Sequence, residues 1–440
     1  MKKLFVWLLI VVFAFSMISI SIGCKEEAAP AEPKTIVYWS WWNENEDQAD
    51  FIKEWVEGYE KLNPTITIEV EFVGRDLLTK FTAARAGGEV IDIIEFSSDE
   101  VKLPLMAEGE IYSMDEALET PNDYEEGAPL WKDNFVSQAM LDRNAVGGEI
   151  LMIPYNLHTW MVNYDKKLFR DNDWTVPETW DEFMALCETI KTTTDISPLA
   201  TDGTINYHTS DWVYMLAIRT GGPEFYKAAC EDPTGKSFDD PRFKDVAEKA
   251  YAINQNGYFQ EGWEGSQWPN AVEMILAGTA AMKFEGTWAF GGHRDKMPED
   301  FEGGQFGFPE VPGGLSKNTD LGLWVAGWMV LNDSEVAPEA IDFLKYCTVL
   351  ERQQKFASQT FTISPIKDVV PEDKTVMDAV EALNSTDVLF DSHDGIMAGL
   401  PEYFNSVYLT NNHLLVLGEI TPDEFIEAMK KGTIEYWENQ

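Results

Sequence analysis

The sequence TIVYWSWWNENEDQADFIKEWVEGYEKLNPTITIEVEF, residues 35–72, contains the clearest structural pattern in this chain. Its first seven residues are rich in β-branched and aromatic side chains, which predicts a strand. Apolar residues then recur at helical spacing over 51–62, and the pair Asn63-Pro64 ends that helix. Apolar and polar residues alternate over 66–72, which predicts a second strand.

The same alternation of strand and helix continues downstream. Leucine and phenylalanine at positions 77, 78 and 81 predict a short helix, and VIDIIEF at 90–96 predicts a compact apolar strand. Strands that alternate with helices are typical of an α/β fold. We therefore expect a mostly parallel sheet covered by helices.

A second α/β section begins near Leu151. Thr179 with Glu182 forms a capping box before an amphipathic segment, and residues 421–424 repeat that device near the C-terminus. Roughly 415 residues follow Cys24, too many for one hydrophobic core, so we expect at least two lobes. The chain has no internal repeat of the kind that predicts a solenoid.

The N-terminus resembles an export signal. Two lysines precede an apolar run over 4–22, and Gly23-Cys24 follows. The pattern predicts a signal peptide at 1–23. One alternative is an uncleaved membrane anchor, because the apolar run approaches the length of a membrane span. Ordinary secretion without an anchor is the other. Each interpretation places the rest of the chain outside the cytoplasm.

Ser21-Ile22-Gly23-Cys24 resembles the lipobox of bacterial lipoproteins, although Ser21 stands where that family usually has leucine. The resemblance implies lipidation of Cys24. Residues 24–33 are rich in alanine, proline and charge, and we interpret them as a tether to the membrane.

Charge excludes some partners. The chain has 76 acidic and 33 basic residues, a formal charge of −43, which repels nucleic acid and anionic lipid surfaces. We interpret the charge as a solvated acidic coat. A cationic ligand such as a polyamine is the alternative.

Three cysteines remain beyond Cys24, namely Cys187, Cys230 and Cys347. Their number excludes a full disulfide framework. We expect buried thiols, with a single bridge as the alternative.

Four segments resemble, in order, the extracellular solute-binding proteins of family 1, the carbohydrate-binding lipoproteins of ABC importers. The third contains the family's Gly-x-Trp signature, and the first has Ile91 where the family usually has proline. The segments are GRDLLTKFTAARAGGEVIDIIEFSSDEV (74–101), GGEILMIPYNLHTWMVNYDKKLF (147–169) with PETWDEF (177–183), ILAGTAAMKFEGTWAF (275–290) and GLWVAGWMVLNDSEVAPEAIDFLKYCT (322–348).

The resemblance implies a two-lobed, periplasmic-binding-protein-like α/β fold of type II, with interleaved lobes and a hinge that the chain crosses three times. The N-lobe would contain 34–153 plus 327–372, and the C-lobe 154–326 plus 373–440. The implied function is binding of a sugar, most simply an oligosaccharide, between the lobes. The implied protein is an exported, lipid-anchored monomer that serves ABC permease subunits, needs no cofactor and is not an enzyme.

A sugar site needs aromatic plates together with planar polar groups. The chain has 16 tryptophans but only 5 histidines, and several tryptophans lie in loops after predicted strands, where ligands of α/β sheets bind. The family's Gly-x-Trp loop makes Trp288 the first candidate, with a core position as its alternative. The predicted ligand-binding residues are Trp41, Trp42, Phe96, Ser98, Asp99, Glu100, Asn156, His158, His208, Thr209, Asp211, Trp263, Glu285, Trp288 and Trp324.

Three of these predictions depend on local structure. Alternation along the first strand would put Trp41 and Trp42 on opposite sides, so we expect one of them to face ligand. Residues 208–211 are predicted to form a polar loop before a helix that begins at Trp212, and Asp211 could instead be its N-cap. For His158, a purely structural histidine is the alternative.

Other functional classes have weaker support in the sequence. Asp99, Glu100, Asp211 and Glu285 could supply the carboxylate pair of a glycoside hydrolase, but no segment resembles a hydrolase motif. The histidines are isolated and no Cys/His spacing fits a zinc site, so we predict no metal. A phosphate-binding P-loop is absent from the sequence.

Overall fold

The computed structural model describes residues 32–372, 374–386 and 388–440. The predicted signal peptide at 1–23, the lipidation site Cys24 and all but the end of the predicted tether at 24–33 lie outside the described residues. Across the described ranges, no helix combines the length and the apolar character needed to cross a membrane.

Strands from both halves of the chain join one extended sheet, and a small hairpin stands apart from it. The strands are β1 (Lys34–Ser40), β2 (Ile66–Phe72), β3 (Ile93–Ser97), β4 (Ala145–Val146), β5 (Glu149–Ile150), β6 (Ile153–Asp165), β7 (Ser197–Leu199), β8 (Ala280–Gly286), β9 (Gly303–Gly307), β10 (Leu321–Val330) and β11 (Leu389–Asp391).

Helices cover the sheet and fill the sequence between the strands. They are α1 (Asp47–Leu62), α2 (Leu77–Gly87), α3 (Ser98–Val101), α4 (Asp115–Leu118), α5 (Gln138–Asp142), α6 (Lys166–Asp171), α7 (Trp180–Thr193), α8 (Asn206–Gly221), α9 (Phe225–Cys230), α10 (Pro241–Gln255), α11 (Asn270–Leu276), α12 (Ala337–Cys347), α13 (Leu350–Thr360), α14 (Met377–Ser385), α15 (Ile396–Gly399), α16 (Pro401–Tyr403), α17 (Leu409–Leu417) and α18 (Pro422–Glu438).

The main sheet has the order β2-β1-β3-β10-β6-β8-β7, with β11 beside β10 and β9 beside β6. Strand β1 pairs in parallel with β2 and β3, as the alternation of strands and helices predicts. Strand β10 is antiparallel to both β3 and β6, and β6 is antiparallel to β8 and β9. The sheet is therefore mixed rather than mostly parallel, because the long strands β6 and β10 cross the molecule in opposite directions.

Two large hydrophobic cores divide the molecule into two lobes. The first core contains side chains from 36–161 and 321–383, and the second contains side chains from 160–429. Strand β6 contributes to both cores, through Leu157 in the first and Val162 in the second. The predicted two-lobed α/β architecture is confirmed, while the lobe boundaries given above stay a prediction.

Local sequence signals explain several helix ends. Thr179 and Glu182 form the predicted capping box at the start of α7, and Thr421 and Glu424 form the second one before α18. Each box satisfies backbone N–H groups that a helix leaves without partners. The predicted buried thiols are also confirmed, because the described cysteines are free and lie in the interior.

Candidate functional site

A cavity of about 800 Å³ opens where strands β6 and β10 meet the loops that follow β1 and β8. Five tryptophans line it, and they come from segments that belong to both lobes. The lining residues are Trp41, Trp42, Asn45, Glu46, Asp47, Gln48, Arg75, His158, Trp268, Trp288, Gly291, Trp324 and Thr360.

Trp41 and Trp42 form the first aromatic wall of the cavity. Strand β1 ends at Ser40, so strand alternation does not extend to the two rings, and both of them border the cavity. Their ring centroids are 4.8 Å apart, and the centroid of Trp324 lies 5.4 Å from that of Trp41. Phe96 supports this wall from below, 5.4 Å from the ring of Trp41.

A buried carboxylate holds the first wall in place. The indole N–H of Trp42 donates to the hydroxyl of Tyr155 at 2.7 Å, and that hydroxyl donates to Glu95. Tyr38 and Ser40 also donate to Glu95, at 2.5 and 2.7 Å. Burial raises the pKa of Glu95, although the hydrogen bonds from Tyr155, Tyr38 and Ser40 act in the opposite direction.

Arg75 places a positive charge on the first wall. Its guanidinium carbon lies 4.3 Å from the ring centroid of Trp41 and 4.9 Å from that of Trp42, within the range of a cation–π contact. The guanidinium donates to the backbone carbonyl of Trp41 at 2.7 Å and forms an ion pair with Glu46, also at 2.7 Å. Because Arg75 and Glu46 carry opposite charges and pair with each other, together they add little net charge to this wall.

His158 and Trp324 form the middle of the cavity, on paired positions of β6 and β10. Their ring centroids are 5.5 Å apart, and His158 meets Trp288 edge to face at 5.1 Å. Burial lowers the pKa of His158 to about 3, so the ring is neutral near pH 7. Its Nδ1 lies 3.1 Å from the hydroxyl of Thr287, which makes the histidine a hydrogen-bonding group rather than a charge.

Trp288 forms the opposite aromatic wall, directly after β8. Its indole N–H donates to Glu285 Oε1 at 3.1 Å, and His208 Nε2 lies 3.2 Å from the same oxygen. Glu285 is buried behind the ring and does not line the cavity. Burial opposes ionisation of this carboxyl, but Lys283 and His208 outweigh it and lower the pKa of Glu285 to about 2.

Residues 208–211 do not form the predicted loop, because helix α8 begins at Asn206 and contains them. Every residue from His208 to Thr220 is buried, so the helix has no amphipathic pattern that would mark its start. Thr209 Oγ1 lies 2.8 Å from a ring nitrogen of His413, and Asp211 accepts the indole N–H of Trp160 at 3.0 Å. Asp211 is therefore not an N-cap.

The structure brings one third of the predicted binding residues to the cavity. Trp41, Trp42, His158, Trp288 and Trp324 line it. The others lie behind this layer or apart from it, and their binding role stays a prediction: Phe96, Ser98, Asp99, Glu100, Asn156, His208, Thr209, Asp211, Trp263 and Glu285.

Two of these residues illustrate the difference. Trp263 packs in the second core, with its ring centroid 4.7 Å from that of Phe259. Asn156 is completely buried in β6, and within the described residues its side-chain amide has no hydrogen-bond partner.

Among the described residues, no group of three or more His, Cys, Asp or Glu side chains could hold a metal ion.

Asp99 lies on the short helix α3, close to Asp391 at the end of β11. Burial raises its pKa to about 7, and the nearby carboxylate of Asp391 adds to that effect. Lys102 and Arg143, which both pair with Asp391, act in the opposite direction. The carboxyl of Asp99 therefore keeps its proton over a pH range in which an exposed aspartate has lost it.

Asp99→Asn is expected to flatten the dependence of stability on pH. The pKa of aspartate in the unfolded chain is about 3.9. The stabilisation from protonated Asp99 is therefore complete below that pH and is lost as the pH rises to about 7. The variant should lose less unfolding free energy than the parent protein between pH 4 and 7, as measured by urea titrations. Asp300→Asn, at an exposed carboxylate, is the control, and parallel curves for Asp99→Asn and the parent would contradict the prediction.

Comparison with known proteins identifies the family. The sequence profile described as bacterial extracellular solute-binding protein matches residues 42–353. This chain belongs to that family. The multiple sugar-binding protein of Streptococcus mutans is 23% identical to this solute-binding protein over 375 residues, which cover 83% of this chain and 84% of the relative.

Solved structures confirm the periplasmic-binding-protein-like fold of this solute-binding protein. RafE in complex with raffinose has a TM-score of 0.72 at 20% identity, over 91% of this chain and 99% of that one. A chitin oligosaccharide binding protein has a TM-score of 0.74 at 21% identity, over 92% and 98% of the two chains. The family and these relatives are binding proteins.

Sequence reasoning did not single out several lining residues of this solute-binding protein as site residues. Arg75 and Thr360 come to the cavity from segments far from the other lining residues, and no sequence signal marks them. Trp268 was not missed in the same way: it shares the tryptophan-rich segment 261–270 with Trp263, which makes it a weaker candidate from the sequence. The segment 45–48 was detectable as the start of the helix that follows the first strand.

Proposed function

We propose that this solute-binding protein captures an oligosaccharide and presents it to an ABC importer. The observation that carries the proposal is the cavity wall of five tryptophans contributed by both lobes. Indole faces match the C–H faces of pyranose rings, and several of them can contact several sugar units. The names of a multiple sugar-binding relative, a raffinose complex and a chitin oligosaccharide binding protein agree with this class of ligand.

The remaining lining residues suit a neutral polar ligand. Asn45, Gln48 and Thr360 provide side chains that both donate and accept hydrogen bonds. His158 is neutral, and Arg75 is already paired with Glu46. We therefore expect hydroxyl groups at the ligand edges and little net charge.

Binding is proposed to close the two lobes around the ligand. In this proposal 34–153 plus 327–372 form one lobe, 154–326 plus 373–440 form the other, and β6 and β10 carry the hinge. A register shift between Ala326 and Gly327, in the pairing of β10 with β6, lies at one of these boundaries. Closure is favoured only to the extent that the ligand contacts the closed form better than the open one.

A cationic solute such as a polyamine is the second candidate, favoured by the formal charge of −43 and by Glu46 and Asp47 in the lining. The position of Arg75 opposes it. The positive charge of its guanidinium lies beside the rings of Trp41 and Trp42 and would repel a cationic solute from this wall.

Thermal unfolding with a ligand panel tests the proposed ligand class. The panel contains mono- and oligosaccharides, glycerol phosphates and polyamines. An oligosaccharide at 100 times its dissociation constant is expected to add about 2.7 kcal/mol of stability, and the shift should persist when salt is raised. If only a polyamine stabilises the protein, and high salt removes that stabilisation, the ligand is a cationic solute and not a sugar.

We further propose that the protein binds its sugar without cleaving it. After prolonged incubation with the oligosaccharide that gives the largest thermal shift, the amount of reducing ends should stay constant. An increase proportional to protein concentration would instead indicate a glycoside hydrolase, with its carboxylates among Asp99, Glu100, Asp211 and Glu285.

We also propose that the protein is exported and anchored through lipidated Cys24. The motif before this cysteine carries the proposal. Cells that express the full chain should incorporate an alkyne-labelled fatty acid into the protein, and Cys24→Ser should abolish the label. Equal labelling of both forms would exclude the anchor.

A further inference from the structure

A cluster of buried charges lies behind the aromatic wall formed by Trp288. Lys283 Nζ lies 3.2 Å from Asp202 Oδ2 and 3.2 Å from Glu285 Oε2, so the ammonium bridges two carboxylates. These three side chains are at most 1% exposed. Ions are costly to bury unless they are paired, so the three groups depend on one another.

One end of this cluster holds the ring of Trp288. Glu285 Oε1 accepts the indole N–H at 3.1 Å, which fixes the rotation of the ring. Gly286 provides the space in which the ring lies, because a Cβ at that position would overlap the six-membered part of the indole. The residue between them, Thr287, bonds to the cavity histidine His158.

The other end of the cluster holds the loop that carries Trp268. Asp202 Oδ1 accepts the hydroxyl of Ser266 at 3.0 Å and the backbone N–H of Ala271 at 3.1 Å. These two residues bracket Trp268, which is 46% exposed and lines the cavity. A single carboxylate therefore closes the loop at both of its ends.

We propose that Asp202, Lys283 and Glu285 are positioning residues that fix the Trp268 loop and the Trp288 ring relative to each other. The proposal rests on the proposed oligosaccharide role, because these two tryptophans are then two plates for one ligand. Their fixed separation selects an oligosaccharide whose sugar rings match it. A wall that is ordered before the ligand arrives also loses less side-chain entropy on binding.

Fluorine NMR of the ligand-free mature protein, labelled with 5-fluorotryptophan, tests the coupling directly. Trp288→Phe and Trp268→Phe assign the two signals. Lys283→Met removes the bridging charge and is expected to move or broaden both signals while the signal of Trp437, on the C-terminal helix, stays in place. Asp202→Asn, which preserves side-chain shape, is the second variant and should also affect both signals.

Gly286→Ala tests the Trp288 end of the cluster independently of the Trp268 end. It should displace the signal of Trp288 and leave that of Trp268 unchanged. It should also weaken binding of the best oligosaccharide of the panel by about tenfold or more, as loss of a good aromatic contact does. Gly399→Ala is the matched control, because a Cβ there meets no atom within 4 Å.

The outcomes distinguish this inference from the proposed function. If Lys283→Met and Asp202→Asn leave either tryptophan signal unchanged, or disturb Trp437 equally, the positioning role is overturned even when sugar binds. If both signals respond as expected but no saccharide binds the parent protein, the positioning of the tryptophans stands and the oligosaccharide role falls.

Discussion

Glu95→Ala is expected to lower the free energy of unfolding by about 3–5 kcal/mol. The substitution removes the acceptor of three buried hydroxyl groups, those of Tyr38, Ser40 and Tyr155. Each hydroxyl left without a partner costs about 1–3 kcal/mol, and the lost side chain leaves a void. Urea unfolding at pH 7 measures the change as a lower midpoint with the same slope.

The effect should reach the cavity, because Tyr155 also accepts the indole N–H of Trp42. Glu69→Ala is the control: this glutamate is exposed on β2, and its removal should change stability by no more than about 0.5 kcal/mol. A similar small change for Glu95→Ala would show that the hydroxyls find other partners, and the proposed support of Trp42 would have to be abandoned.

Trp288→Ala is expected to weaken oligosaccharide binding by about 1–3 kcal/mol, and also to lower the free energy of unfolding because the buried carboxylate of Glu285 loses a donor. The ring is partly exposed at the cavity, and its loss removes one aromatic plate and leaves Glu285 without its indole donor. Isothermal titration calorimetry with the oligosaccharide that gives the largest thermal shift measures the change in affinity.

Trp437→Ala is the matched control for this substitution. Trp437 is also partly buried and also donates its indole N–H, to the carbonyl of Cys230, but it lies on α18 and does not line the cavity. Its removal should reduce stability and leave affinity unchanged. If Trp288→Ala behaves in the same way, this tryptophan belongs to the core and not to the site.

The sequence predicted those parts of the fold that depend on interactions between residues close together in the chain. The strand, helix and strand of residues 35–72 and the two capping boxes follow from periodicity and from side chains that cap nearby backbone groups. The directions of β6 and β10 were not predictable from these signals, since both strands pair with segments remote in sequence. Helix α8 shows the same limit, because a helix buried on all sides lacks a period that marks its start.

The candidate site was predictable only in part. The tryptophan-rich segments pointed to Trp41, Trp42, Trp288 and Trp324, and all four line the cavity, although Trp324 lies within β10 and not in the predicted loop. Polar candidates such as Asp211 are buried one layer deeper, since sequence position does not distinguish a side chain that lines a cavity from one that supports its wall. Arg75 was missed as a site residue because its contact with the tryptophans depends on tertiary packing.

The pairing of His158 with Trp324 has a practical consequence for anyone who wishes to turn this protein into a biosensor. The two residues sit opposite each other on hydrogen-bonded strands, so backbone geometry sets their spacing. A dye attached beside them is expected to report occupancy of the cavity by quenching.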